Sequence, residues 1–450
     1  MPGAGPLARR GAMTVILPLR APGYAWYEYQ GLATASRPWR RADVQSMQHE
    51  IQSESDLAHS PSPAAIAGSD PKKTPGTLRE VVRQFTPNWF TATMGTGILA
   101  LAVNQFPLPF PGQHEIATLI WLANIVLFAT FTALYTARWI LYPAEARRIF
   151  GHSVMSMFFG AIPMGLATII NGFLAFGVPL WGPVAIDIAL ALWWVDAALA
   201  IACGVLIPFL MFTWQNHSIE KMTAVWLLPI VAAEVAAASA GLIVPQLSDP
   251  EAAWRLLILA YALWAYSVPL AMSILVILVL RLVLHKLPPK DMAASGWLSL
   301  GPIGTGALGL LLLGGAAPQV FSAAGLADMG HVAAGIGLVG GAILWGYGVW
   351  WFLLAVLTTM RYLAQGLPFN IGWWGFTFPL GVYAVATLAL ARQTHLSFLL
   401  VIGGALVICL VVLWAIIAYR TLRGAIDRSL FFSPCLLSGA IPADFEADVV

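Results

Sequence analysis

Three carboxylates fall inside long apolar stretches of this 450-residue chain: Asp187, Asp196 and Glu234. An ionisable group at such a depth marks a candidate proton relay or ion pathway, and it needs a partner or a neutral form. Asp187 and Asp196 are nine positions apart, which puts them on opposite faces of one helix. Asp187, near an outer end, is expected to be solvated, and Asp196, beside Trp193 and Trp194, to pair with a neighbouring helix. Glu234 follows Pro229 by five residues, about 140° around a helix, so the two do not share a face. Two readings of Glu234 stand side by side: a proton-coupling carboxyl, or a structural acid satisfied by its neighbours.

Other chemistry is thinly represented. Cys203, Cys409 and Cys435 are widely spaced with no CxxC, which supports neither a disulfide framework nor a metal ribbon. His49, His59, His114, His152, His217, His285, His331 and His395 fall in tails, loops or helix ends. A haem- or metal-carrying membrane enzyme would need some of them facing one another inside a bundle. No nucleophile–base pair presents itself inside the apolar stretches. The expectation is a protein with no enzymatic activity, no cofactor and no metal, and the net charge of +2 is too small to argue for nucleic acid.

What remains is chemistry of the backbone. The stretch 371–392 carries no charge before Arg392 and places Phe378 directly before Pro379. A proline within a membrane helix deprives a carbonyl of its usual donor, which is tolerated where other helices or a water-filled path can satisfy it. Pro87, Pro163, Pro229, Pro302 and Pro379 each sit in a different apolar stretch, with one plainer apolar stretch after each. The proline-bearing stretches also hold the small residues, as in Met94-Gly95-Thr96-Gly97 and in 301–309. Glycines there serve close helix packing. With the hydroxyls of Thr91, Thr96, Thr168, Thr305 and Thr377 as candidate lining, the same helices could surround a narrow path. No charged residue lies in the middle of the first, third, seventh or ninth stretch. Any anion that passes would be held weakly, by backbone dipoles and hydroxyls, and monoanions would desolvate more easily than dianions.

These features sit in a chain that is 59% hydrophobic and 10% charged, against about 25% charged in soluble domains. It is therefore an all-α integral membrane protein in a lipid bilayer. Ten spans are predicted, at 85–103, 116–140, 153–177, 184–213, 222–246, 252–283, 299–317, 331–361, 371–392 and 396–420. They pair as five helical hairpins, with the sixth and eighth longer than a bilayer requires. With the N-terminus inside, fifteen Lys and Arg from residue 72 onward fall on the inner side and two, Arg255 and Arg392, on the outer. The positive-inside rule then puts both termini in the cytoplasm of a multi-pass protein in the plasma or inner membrane. Residues 1–78 are expected to be a disordered cytoplasmic tail without a signal peptide, in which Met47 is a second candidate start. Residues 79–425 form the transport domain and 426–450 a cytoplasmic C-terminal tail.

Four stretches together carry a resemblance: 85-FTPNWFTATMGTGILALAVNQFP-107, 152-HSVMSMFFGAIPMGLATIINGF-173, 217-HSIEKMTAVWLLPIVAAEVAAASAGLI-243 and 373-WWGFTFPLG-381. In this order they resemble the tellurite-resistance/dicarboxylate transporter (TDT) family. That family includes tellurite-resistance proteins, malic-acid permeases, sulphite efflux pumps and plant slow anion channels. The resemblance implies a quasi-fivefold arrangement around a central pore, with the odd, proline-kinked helices lining it and the even ones outside. It also implies a homotrimer, and a plug formed by the aromatic before the proline of span nine, here Phe378. The MGTGI and IPMG stretches look closer to the sulphite and malate branch. The function expected is transport of small anions, sulphite/bisulphite or a C4-dicarboxylate such as malate, gated by Phe378. The rivals are a proton-coupled carrier using Glu234 and a membrane sensor or scaffold acting through the N-terminal tail.

Overall fold

Prolines set where the helices of this chain begin. In a computed structural model, which describes residues 76–436, ten helices of 12 residues or more follow one another. They are α1 (Phe90–Asn104), α2 (Gln113–Leu141), α3 (Ala161–Gly172), α4 (Val184–Thr213), α5 (Leu228–Ile243), α6 (Pro250–His285), α7 (Leu300–Ala323), α8 (Ala327–Ala364), α9 (Thr377–Thr394) and α10 (Ser397–Ile426). There is no strand among the described residues. Each odd-numbered helix is preceded by a tighter 3-10 segment: Pro87–Trp89, Met155–Gly160, Ala224–Leu227, Lys290–Ser299 and Ile371–Phe376.

The five prolines mark that handover. Pro87 opens its 3-10 segment, Pro229 is the second residue of α5, and Pro163, Pro302 and Pro379 are the third residues of α3, α7 and α9. Proline is tolerated in a first turn because the missing N–H has little to bond there. The bend therefore comes from a change of helix type at the start of each segment, not from a break in the middle of an α-helix.

The odd helices form a closed ring. α1 packs on α3, α3 on α5, α5 on α7, α7 on α9, and α9 returns to α1. Each even helix lies over a seam of that ring: α2 over α1 and α3, α4 over α3 and α5, α6 over α5 and α7, α8 over α7 and α9, and α10 over α9 and α1. Glycine makes each seam close enough. A Cβ on Gly97 would fall 1.9 Å from Thr168 Oγ1, on Gly160 2.1 Å from the Leu228 carbonyl, and on Gly241 2.9 Å from Leu312 Cβ. On Gly304 it would lie 3.0 Å from the Tyr383 nitrogen, and on Gly95 2.1 Å from Thr377 Oγ1. Small residues of this kind let membrane helices associate where no hydrophobic force drives them together.

Nine helical stretches among the described residues are long and apolar enough to cross a membrane, where ten were expected. The exception is the first. α1 has 15 residues, short of the roughly 20 a bilayer asks for. Its threonines and glycines also lower its hydropathy, which costs little because every residue but Asn104 is buried. The sixth and eighth helices are the longest, at 36 and 38 residues.

Residues 1–75 and 437–450 lie outside the described part, and with them most of both expected tails. The C-terminal segment that is described packs on the bundle. Phe431 stacks on Trp89 with ring centroids 4.6 Å apart, the Ser433 backbone N–H donates to Gln84 at 2.8 Å, and Cys435 is buried. Arg138, buried at the end of α2, donates to the Phe85 carbonyl and to Ser433 Oγ. Part of the expected free tail is thus an apolar staple over the lead-in to α1.

Candidate functional site: a constriction at the centre of the ring

All five odd helices start at one end of the ring, and their first α-helical turns close around a small central cavity. Met94 of α1, Met164 of α3, Leu228 and Val231 of α5, Gly301 and Pro302 of α7, and Phe378 and Pro379 of α9 line it, with Leu227 and Leu298 just below. Every inner helix contributes. The cavity holds about 10 Å³, room for about one water, so the path is shut at this level. Phe378 is the largest side chain in the lining and is buried.

No charged or hydroxyl side chain lines this cavity. Electrostatic help for an anion must come from the backbone. Five helical segments begin together on one side, and the start of a helix carries a partial positive charge from its unbonded N–H groups. Thr223 and Asn370 cap the 3-10 lead-ins of α5 and α9 with their side chains, so those two starts are not wholly free. The constriction itself holds no fixed cation that would trap an anion.

None of the threonines expected to line the path is among the residues of this constriction. Thr96 Oγ1 accepts from Trp414 Nε1 of α10 at 3.0 Å, and Thr168 Oγ1 accepts from Asn124 of α2 at 3.3 Å. Both face the outer ring. Thr91 donates to the Asn88 carbonyl at 2.5 Å, and Thr377 donates to the Trp374 carbonyl at 2.8 Å while packing on Gly95. Thr305 Oγ1 is buried without a partner and is not part of the constriction. A threonine hydroxyl in a helix bonds back to a carbonyl in the preceding turn, so it leaves little for a pore.

The buried acids are also off the axis. Glu234 faces α6, where Ser267 Oγ lies 3.3 Å from its Oε2, while Oε1 has no partner. Asp196 is a correction: neither of its oxygens has a hydrogen-bond partner, although it is fully buried. The helix α4 packs on both α3 and α5, and the nearby Trp193 donates its Nε1 to the Ala236 carbonyl of α5. Asp187 is exposed in the first turn of α4, as expected.

The proline pattern held a signal for Leu228, Gly301 and Met164, which sequence reasoning missed, as it did for the expected Phe378. Leu228, Gly301 and Phe378 each immediately precede the proline of their span, and Met164 immediately follows it. In three of the five spans the residue before the proline therefore lines the constriction. Met94, Val231 and Leu298 have no such mark.

A closed ring of apolar helices around an uncharged central constriction is the architecture of a multi-pass membrane transport protein. The sequence profile of the family described as voltage-dependent anion channel (SLAC1) matches residues 84–422, and the chain belongs to that family. It is 39% identical over 356 residues to a sulfite efflux pump of Trichophyton rubrum, covering 78% of this chain and 93% of that protein. A transporter of Methanocaldococcus jannaschii is 28% identical over 78% of this chain and 96% of its own length. The malic acid transport protein of Schizosaccharomyces pombe is 22% identical over 79% of this chain and 82% of its own. Family and relatives are channels and transporters, so the chain is an anion transport protein and not an enzyme.

Proposed function

We propose that the chain passes sulphite or bisulphite through the centre of the inner ring, with C4-dicarboxylates such as malate as a second substrate class, and that Phe378 is the gate. The observation that carries this reading is the position of Phe378: a bulky ring in a constriction shared by all five inner helices and free of charged side chains. A neutral lining favours a small, singly charged anion, because shedding water is costlier for a dianion. The sulphite preference draws on the relatives named above. α1 serves as the tenth crossing, shielded from lipid by α2 and α10. The protein works as a homotrimer in the plasma membrane with both termini in the cytoplasm, a reading supported by the family resemblance and by the charge split between loops.

The test is anion flux into proteoliposomes, with chloride, nitrate, sulphite and malate compared with and without a pH gradient. Phe378→Ala should raise flux along the anion's own gradient, with sulphite ahead of malate. Unchanged flux in a folded variant would sink the gate. The rival is proton-coupled carriage, favoured by the partnerless Oε1 of buried Glu234. Flux that requires a pH gradient and is abolished by Glu234→Gln would establish it. Deleting 1–78 separates transport from a scaffold role, since transport should survive the deletion.

A further inference from the structure

The two ends of the inner ring differ in charge. The inner helices begin together at the constriction, where their N–H ends favour an anion. Their carbonyl ends therefore gather at the opposite mouth, where a partial negative charge repels one. The even helices start at that mouth, and Glu115, Asp187, Glu251 and Asp328 lie in the first turns of α2, α4, α6 and α8. Among the described residues two arginines stand against these acids, Arg255 in α6 and Arg392 in the last turn of α9. Arg255 is paired with Glu251. Arg392 has no described carboxylate within ion-pair distance, and its Nη2 donates to the neutral Gln105 Oε1 at 2.7 Å.

Helix phase places this guanidinium over the path. Arg392 follows Phe378 by fourteen residues, which at about 100° and 1.5 Å per residue brings it within about 40° of the same face. It stands about 21 Å beyond the constriction on that face. Gln105, just past the end of α1, follows Met94 by eleven residues and returns to within about 20° of the face of α1 that lines the constriction. Gln393 turns to the other side and donates to the Leu311 carbonyl of α7 at 3.0 Å. Arg392 and Gln393 thus reach the two neighbours of α9 in the ring, with the Phe378 face between them.

The ring is open at this level. Gly315, fourteen residues after Gly301 on α7, is exposed, and a Cβ there would meet only Gln393 Nε2, at 3.7 Å. Arg392 is exposed as well, and a guanidinium with five N–H groups keeps donors to spare after one bond to Gln105.

We propose that Arg392 is the anion-guiding cation of the path: it offsets the negative far mouth and offers N–H groups to the oxygens of a passing oxyanion, with Gln105 holding its side chain in place. The inference rests on the reading of the ring centre as the anion path. A planar guanidinium matches an oxyanion such as sulphite with two parallel hydrogen bonds. In water a single exposed cation attracts without retaining, which suits passage. A last-turn arginine also steadies its own helix end, but that role requires neither the Phe378 face nor freedom from a carboxylate.

The test measures sulphite conductance of the full chain in planar bilayers at low ionic strength, in a Phe378→Ala background. Adding Arg392→Gln should lower conductance at limiting sulphite about three- to tenfold. Arg392→Glu should lower it further, and Arg392→Lys should retain most of it. The deficit should shrink as an impermeant salt is added, because screening removes what the charge supplied. The neutral double swap Arg255→Gln, Glu251→Gln, at the same end but on the outer ring, should change nothing. Conductance unaltered by Arg392→Gln and Arg392→Glu overturns the proposal and leaves the path standing. A loss equal in the Gln and Lys variants, or indifferent to salt, makes Arg392 a structural residue and overturns it too. No conductance from Phe378→Ala itself overturns the path reading, and the proposal with it.

Discussion

The inner and outer rings are built from the same kind of residue and yet answer to different solvents. Among the inner spans, those containing α5 and α9 are 94% buried and the one containing α7 83%, whereas outer spans are 17–33% buried. The inner span containing α3 is 67% buried; the inner helices thus meet mostly protein, and their sequences are free to hold proline, glycine and threonine. The outer helices meet lipid, and α10 reaches a mean hydropathy of 3.0 with Val401 73% and Ile426 75% exposed. Glycines at the inner seams leave no room for a methyl group, while two in α8, Gly335 and Gly346, face open space. Position in the ring, more than residue type, decides what a side chain does here.

The largest expected effect breaks a seam. Gly160→Ala drives a methyl against the Leu228 backbone carbonyl and should cost about 3 kcal/mol or more, read as a lowered thermal midpoint in detergent. Gly335→Ala on the outer ring should be neutral or stabilise by up to about 1 kcal/mol. If both variants behave alike, the distinction between the rings fails.

Next in size is the contrast between two phenylalanines. Phe378→Ala should increase anion flux, while Phe209→Ala, 58% exposed on α4, should leave it unchanged. A smaller effect is expected from Asp196. Its carboxyl is buried between the rings with no donor, so Asp196→Ala should raise the unfolding midpoint, by about 1–2 kcal/mol. A loss of stability there would mean that the acid has a role this packing does not explain.

The smallest concerns the lead-in outside the rings. Glu145 accepts from Arg83 Nε and Nη2, both at 2.7 Å, and this pairing holds its carboxyl below the usual carboxylate range. A lowered folded-state value means the contribution is fully present above the ordinary pKa of about 4.3 and is lost as pH falls through the folded value. The pair is partly exposed, so Glu145→Gln should cost under about 1 kcal/mol at pH 7. The gap between variant and wild type should close in acid; a gap that persists at low pH would assign the effect to packing.

How much of this could be read in advance differs from residue to residue. The hairpin order, the proline repeat and the pairing of Phe378 with Pro379 are all visible in the chain, because each is a local pattern. The facing of Thr96 and Thr168 is not. A helix buried all round shows no amphipathic stripe, so nothing in α1 marks which side meets the axis. Met94 and Thr96 are two residues apart, yet one lines the constriction and the other bonds to an outer tryptophan. Glu234 and Asp196 are conspicuous as acids, but only packing tells that one meets Ser267 and the other meets no donor.

The sequence by itself determined that this is a helical membrane protein of alternating kinked and plain segments, because hydropathy and proline act over a few residues. Only the tertiary structure decided that five of those segments close into a ring, that their first turns meet at Phe378, and that a mainly apolar cavity opens between α6 and α8. Those outcomes depend on contacts between residues far apart in the chain, and such contacts are fixed by shape and close approach, which no local pattern encodes.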